Sequence, residues 1–207
     1  MIFQEPGRTM ELDQLLAEAR ACRVCESHLP FGPRPVLRAQ ASSRLLIIGQ
    51  APGTKVHETG IPWNDASGRR LRQWLDMDER VFYDEGRIAI IPVGLCYPGA
   101  NPKGGDMPPR PECAPLWLPR LRAALGNIEL TLLVGSHAQA VCLGDRRKRT
   151  MTETVLNFRD FLPDFLPTPH PSWRTTQWQM RNLWFDDDVL PELRRRVQLL
   201  VNPKDVP

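Results

Sequence analysis

The feature that most constrains this chain is Leu45-Leu46-Ile47-Ile48 running into Gly49-Gln50-Ala51-Pro52-Gly53. Four consecutive apolar residues, two of them β-branched, read as a strand buried on both faces. The strand stops at Gly49, and Pro52-Gly53 forces a tight turn that presents backbone amides above its end. Apolar runs at 87–93 (RIAIIPV), 129–134 (ELTLLV) and 165–168 (FLPT) repeat the pattern, with helical periodicity between them. Buried strands alternating with helices predict an α/β fold: a central, mostly parallel four-stranded sheet with helices on both faces. Ligands bind at the C-terminal ends of such strands, so Gly49–Gly53 is expected to form the floor of a site.

A length of 207 residues suits one domain over 1–207. Lys plus Arg exceeds Asp plus Glu by 27 to 24, so net charge does not announce a polyanionic partner. The 21 prolines are about twice the usual share and point to ordered loops. No window has the roughly 20 apolar residues of a membrane span, and residues 1–20 lack a signal-peptide core. A cytoplasmic, membrane-free monomer is expected, its five cysteines being thiols or metal ligands rather than disulfides.

Leu12, Leu15, Leu16 and Ala19 predict an amphipathic helix over 11–21. Residues 54–67 read as irregular, with Ser67 capping a helix over 68–76. Residues 96–111 form a long Pro/Gly-rich loop of the kind compact domains keep for function. Helices are predicted at 113–125 and 136–143. Asp145–Arg149 reads as a basic loop. A final helix is expected over 178–201, with Asp186–Asp188 near its start and Arg194–Arg196 near its end, as the helix dipole favours.

Four groups of residues carry chemistry. Cys22 and Cys25 form a CxxC, and Cys96 and Cys113 a wider pair; four such thiolates suit zinc or an iron–sulfur cluster, with His28 an alternative nitrogen ligand and unligated core thiols the bland alternative. Cys142 reads as simply buried. His170 is framed by Pro169 and Pro171, which fix where its imidazole points, whereas His57 and His137 lack such framing. Trp63, Asn64 and Asp65, with Glu58 nearby, are parts for stacking on a planar ring, reading its edge and activating water; equally, Trp63 could be core and Asp65 a helix cap. Ser172, Trp173 and Arg174 suit a phosphate contact and wedge, and Arg69, Arg70, Arg72 and 145–149 a basic rim or merely a solvated face.

Together these residues resemble the uracil-DNA glycosylase superfamily. Gly49–Gly53 is similar to its first motif and His170-Pro171-Ser172 to its second. The CxxC before the first strand, the Cys96-Tyr97-Pro98-Gly99 loop and Cys113 at a helix start resemble its iron–sulfur (family 4) branch. Residues 59–68 (TGIPWNDASG) are similar to that branch's G-x-P-F-x-G-x-A-G segment, and the likeness runs over roughly 20–185. The resemblance implies excision of uracil or a related deaminated base from single- or double-stranded DNA by base flipping and N-glycosidic hydrolysis. It implies Trp63 as the stacking ring, His170 as the partner of uracil O2, Ala51, Pro52 and Gly53 as base-pocket residues, the loop after Ser172 as the wedge, and a [4Fe–4S] cluster, zinc or nothing on the four cysteines.

Two departures stand out. The resembled branches carry a glutamate at the position of Gln50 or an aspartate at that of Ala51, and Pro92 falls where an asparagine often reads uracil. Asp65, or failing it Glu58, is therefore expected to activate water, with Gln50 positioning it and Asn64 reading the base edge. A non-catalytic binder of damaged or single-stranded DNA and a metal-cluster interaction domain are the other readings.

Overall fold

The computed structural model describes residues 6–201, and side chains from Glu11 onward. Four strands, β1 (Leu45–Ile48), β2 (Ile88–Ile90), β3 (Leu130–Val134) and β4 (Phe165–Thr168), form one parallel sheet in the order β2-β1-β3-β4. Every strand residue is buried, as continuous apolar runs require of a sheet covered on both sides. The register sets Ile47 beside Ile90 on one side and Leu132 on the other.

Alternation along the strands sorts the core into two layers. Leu46, Ile48, Ala89 and Leu133 pack with α1 (Pro6–Arg20), α5 (Cys113–Ala124) and α6 (Ser136–Leu143). Leu45, Ile47, Ile88, Leu132 and Leu166 face the other way, onto α3 (Ala66–Leu75) and α9 (Leu190–Val201). Each such aliphatic side chain taken from water contributes roughly 1.5–3 kcal/mol, which is what holds the two helical layers against the sheet.

The structure differs from the expectations where short-range chemistry decides. Residues 54–67 are not irregular: α2 (Thr54–Thr59) starts directly after the Gly53 turn, with Gly53 as its N-cap. Ser67 does not cap α3. Asp65 does, accepting from Gly68 N at 2.8 Å. Two short helices, α4 (Glu79–Phe82) and α7 (Met151–Leu156), were not anticipated, although Thr150 and Glu153 form a full capping box on α7.

The expected helix over 178–201 is broken. The chain forms α8 (Thr175–Arg181), where Asn182 Nδ2 donates to Trp178 O at 2.7 Å, then a wide turn over Phe185–Val189, then α9. The turn buries Phe185 edge-on against Trp74 and Trp178, which a continuous helix would not do. Asp186–Asp188 thus lie in the turn, and Arg194–Arg196 lie mid-helix rather than at its end. Arg195 and Arg196 pair with Glu192, and Arg194 Nε donates to Trp74 O at 3.1 Å, tying α9 to α3. Among the described residues no helix is long and apolar enough to cross a membrane.

Candidate active site

A cleft of about 430 Å³ opens at the C-terminal ends of β1, β2 and β4. Its walls bring together residues far apart in sequence: Gly49–Gly53 after β1, Pro92 after β2, Trp63 and Asp65 before α3, and His170, Ser172, Trp173 and Arg174 after β4. The five residues after β1 do form its floor. Asn64, half-buried, and Glu58, exposed, are not among its lining residues. A larger cavity of about 940 Å³ lies between α5 and α6 and includes His137 and Cys142, but none of the residues singled out for base chemistry.

Trp63 is held in place by its backbone. Its φ is 57°, left-handed and costly for a residue with a Cβ. A Cβ on Gly68 would lie 1.7 Å from Trp63 O, so only glycine lets α3 press against this carbonyl. Arg72 Nη1 donates to the same oxygen at 3.4 Å. The indole in turn needs Gly49 bare, since a Cβ there would come within 2.8 Å of the ring. Trp63 therefore lies on the end of β1 itself, its centroid 5.6 Å from that of His170.

His170 leaves β4 between two prolines, and its carbonyl accepts from Ser172 N and Thr175 Oγ1, which folds the following loop back on it. Burial pushes its pKa below the ordinary histidine value, and the negative charge of Asp65 only partly opposes this. The ring is thus a neutral hydrogen-bond donor at neutral pH. Gly135, at the end of β3 with φ 87°, leaves the space its Cβ would contest with His170.

The cleft's roof comes from the loop that the sequence left without structure. Residues 99–107 form a small hairpin: Met107 N donates to Gly99 O, and Asn101 N to Gly105 O, each at 2.8 Å. Gly104 and Gly105 have φ of 94° and 85° and pass close under Arg174. Gln50 Nε2 donates to Met107 O at 3.2 Å, anchoring the hairpin to the floor. The hairpin carries Asp106 to the cleft wall, a residue not singled out from the sequence. Its carboxyl is pushed above the usual carboxylate range, first by burial and then by the charge of Asp65, with Arg174 opposing. Nothing short-range marks Asp106, because its position depends on the hairpin closing over the strand ends.

A family model of the uracil DNA glycosylase superfamily matches residues 38–194, the span that contains all four strands and every cleft-lining residue but Val36. The chain belongs to the uracil DNA glycosylase superfamily.

The 172–174 loop stands on the cleft's edge. Trp173 is 78% exposed, with the Arg174 guanidinium over its ring at 5.4 Å. Arg69 is exposed, but Arg70 and Arg72 do not form a basic rim. Arg70 donates to Ser172 O at 2.7 Å and to Gln179 Oε1 at 2.6 Å, bracing the loop, and Arg72 is spent on Trp63, Tyr83 and Glu79.

The four cysteines converge. Cys22, Cys25, Cys96 and Cys113 line one small cavity with Arg110, while His28 is exposed and outside it. Burial pushes Cys96 up to about 11 and Cys113 up to about 12, so these thiols ionise only if a bound cation draws off the proton. Leu95 N–H already points at Cys113 Sγ, 3.2 Å away, as an amide does toward a ligating thiolate. Among the described residues no three His, Cys, Asp or Glu side chains are grouped so as to hold one metal ion. Four thiols lining one small cavity are a donor set of the kind that holds zinc or an iron–sulfur cluster. Cys142 is half-buried on the larger cavity rather than fully enclosed.

Proposed function

We propose that this protein is a monofunctional DNA glycosylase that hydrolyses the N-glycosidic bond of uracil, or of a related deaminated base, flipped out of DNA. The observation that carries the proposal is the meeting of Trp63, His170 and Asp65 in one cleft at the strand ends of a uracil DNA glycosylase superfamily chain. Trp63 supplies a ring face for the flipped base. As the C1′–N1 bond breaks, its electron pair moves onto the base, and the neutral His170 donates a hydrogen bond to the developing O2 anion. Asp65 has Oδ1 fixed by Gly68 N and lies within electrostatic reach of His170, which suits it to orient water toward C1′ with its other oxygen. Trp173 fills the gap left in the duplex by the flipped nucleotide. Cys22, Cys25, Cys96 and Cys113 would hold a [4Fe–4S] cluster, whose thiolate bonds would join the chain after α1 to the start of α5.

A duplex with a single U:G pair, treated with enzyme and then alkali, tests the activity. Strand breaks at the uracil are expected, and a gel shift without breaks would leave only DNA binding. Asp65→Asn is the discriminating variant, because asparagine caps a helix as well as aspartate yet lacks the carboxylate charge that orients the water. It should lose on the order of 10²-fold or more in rate with unchanged unfolding. Asp65→Ala should lose the rate and about 1 kcal/mol of stability together. Purified protein absorbing near roughly 400 nm, with iron and acid-labile sulfide rather than zinc on analysis, is the result expected for the cluster.

A further inference from the structure

The cleft holds a second carboxylate that the roles above do not use. Asp106 sits against the motif turn, its Oδ2 3.3 Å from where a Cβ on Gly53 would be. Any side chain at 53 would therefore crowd this oxygen. Among the described residues no hydrogen-bond donor meets the Asp106 carboxylate, whereas Asp65 has one oxygen fixed by a backbone amide. The hairpin that carries Asp106 is not loosely placed. Gln50 reaches up from the floor and donates to Met107 O, a bond that a glutamate carboxylate at 50 could not make, since it has no hydrogen to donate. Gly104 and Gly105 let the hairpin tip close under Arg174. Asp106 is solvent-accessible on this hairpin and, among the described residues, no donor holds its carboxylate, so both oxygens are free to meet a water in the cleft.

We infer that Asp106 is a second catalytic carboxylate, set over the cleft by the Gln50-anchored hairpin to accept the proton of the attacking water beside Asp65. The inference rests on the glycosylase reading. The water oxygen bonds to C1′ as the C1′–N1 pair departs with the base, and the water proton passes to Asp106. The base anion, held by His170, is protonated after release. Two carboxylates facing one reaction centre, with environments that separate their proton affinities, is how glycosidic hydrolysis divides orientation from proton transfer. The groups facing Asp106 are Asp65, from the N-terminus of α3, and Arg174, from the loop before α8. The raised proton affinity of Asp106 has burial as its main cause and Asp65 as the second, which suits Asp106 to accept a proton.

The test compares wild type, Asp106→Asn, Asp65→Asn and the double variant for single-turnover uracil release from a U:G duplex across pH. Binding to the same duplex carrying a non-hydrolysable 2′-fluoro-deoxyuridine is measured in parallel. Asp106→Asn is expected to slow release on the order of 10²-fold, to bind the analogue as wild type does, and to unfold at the same or a higher denaturant midpoint. The acid-side fall in wild-type rate should vanish in this variant. The double variant should lose less than the product of the single losses, as groups acting on one water do. Gln50→Glu should lower the rate while leaving Asp106 in the chain. Release by Asp106→Asn at the wild-type rate overturns the inference and leaves the glycosylase reading standing. So does loss of rate, analogue binding and stability together, which marks a structural role. A wild type that frees no base from uracil-, hypoxanthine- or xanthine-containing DNA overturns both.

Discussion

Trp63 shows at the scale of single residues how this site is built. A left-handed backbone, a carbonyl pressed against Gly68 and an indole lying on Gly49 are one linked constraint. Gly68→Ala must move the Trp63 carbonyl or the start of α3, and is expected to cost roughly 1–3 kcal/mol or more, read from urea unfolding, with base release falling in step. Gly49→Ala should tilt the indole with less effect on stability, because a ring moves more easily than a backbone. His170 makes a pH prediction. Its folded pKa lies below the ordinary value of 6.5 because burial disfavours the charged ring. Between those two values the unfolded chain binds the extra proton, so stability falls as pH drops through 6.5 and levels off below the folded pKa. His170→Gln, which does not titrate, should unfold with a shallower acid-side decline than wild type.

At the scale of elements, short caps decide what periodicity could not. Asp65 is both the cap of α3 and a wall of the cleft, so capping the helix does not take this side chain out of the site. The Thr150–Glu153 box fixes α7 between a basic loop and the sheet. Thr150→Ala should cost about 1 kcal/mol by denaturant unfolding without touching base release, since α7 lies away from the cleft. The break between α8 and α9 frees α8 to carry the Trp173 loop while α9 packs on α3. Arg70, read from sequence as a rim charge, is the strut between α3 and that loop.

At the scale of the whole molecule, the cleft and the cysteine cavity share one loop system. Residues 94–96 line the cysteine cavity, and the chain passes from there into the 99–107 hairpin over the cleft before returning to Cys113. Cys96→Ser is therefore expected to lower both the iron content and the rate, and to leave β1 and β3 as protected from hydrogen exchange as in wild type. Trp173→Ala should slow release from duplex far more than from single-stranded uracil-containing DNA, because only the duplex needs a wedge to hold the base out.

The amino-acid sequence by itself determined the sheet. Four apolar runs could only be strands buried on both faces, and the glycine and prolines after β1 and β4 put Gln50, Pro52 and His170 at their C-terminal ends. Trp63, Asp65 and His170 were also legible there as candidates, standing in local patterns, and all three line the cleft. Tertiary structure alone decided which of them meet. Asn64 and Glu58 fall off the cleft wall although their neighbours Trp63 and Asp65 line it, because one residue along an extended or helical backbone turns a side chain to another face. Asp106 enters because a hairpin, two positive-φ glycines and the Gln50 amide bring a loop residue across to Gly53. The floor was written in one run of nine residues, and the roof depended on contacts 57 residues apart.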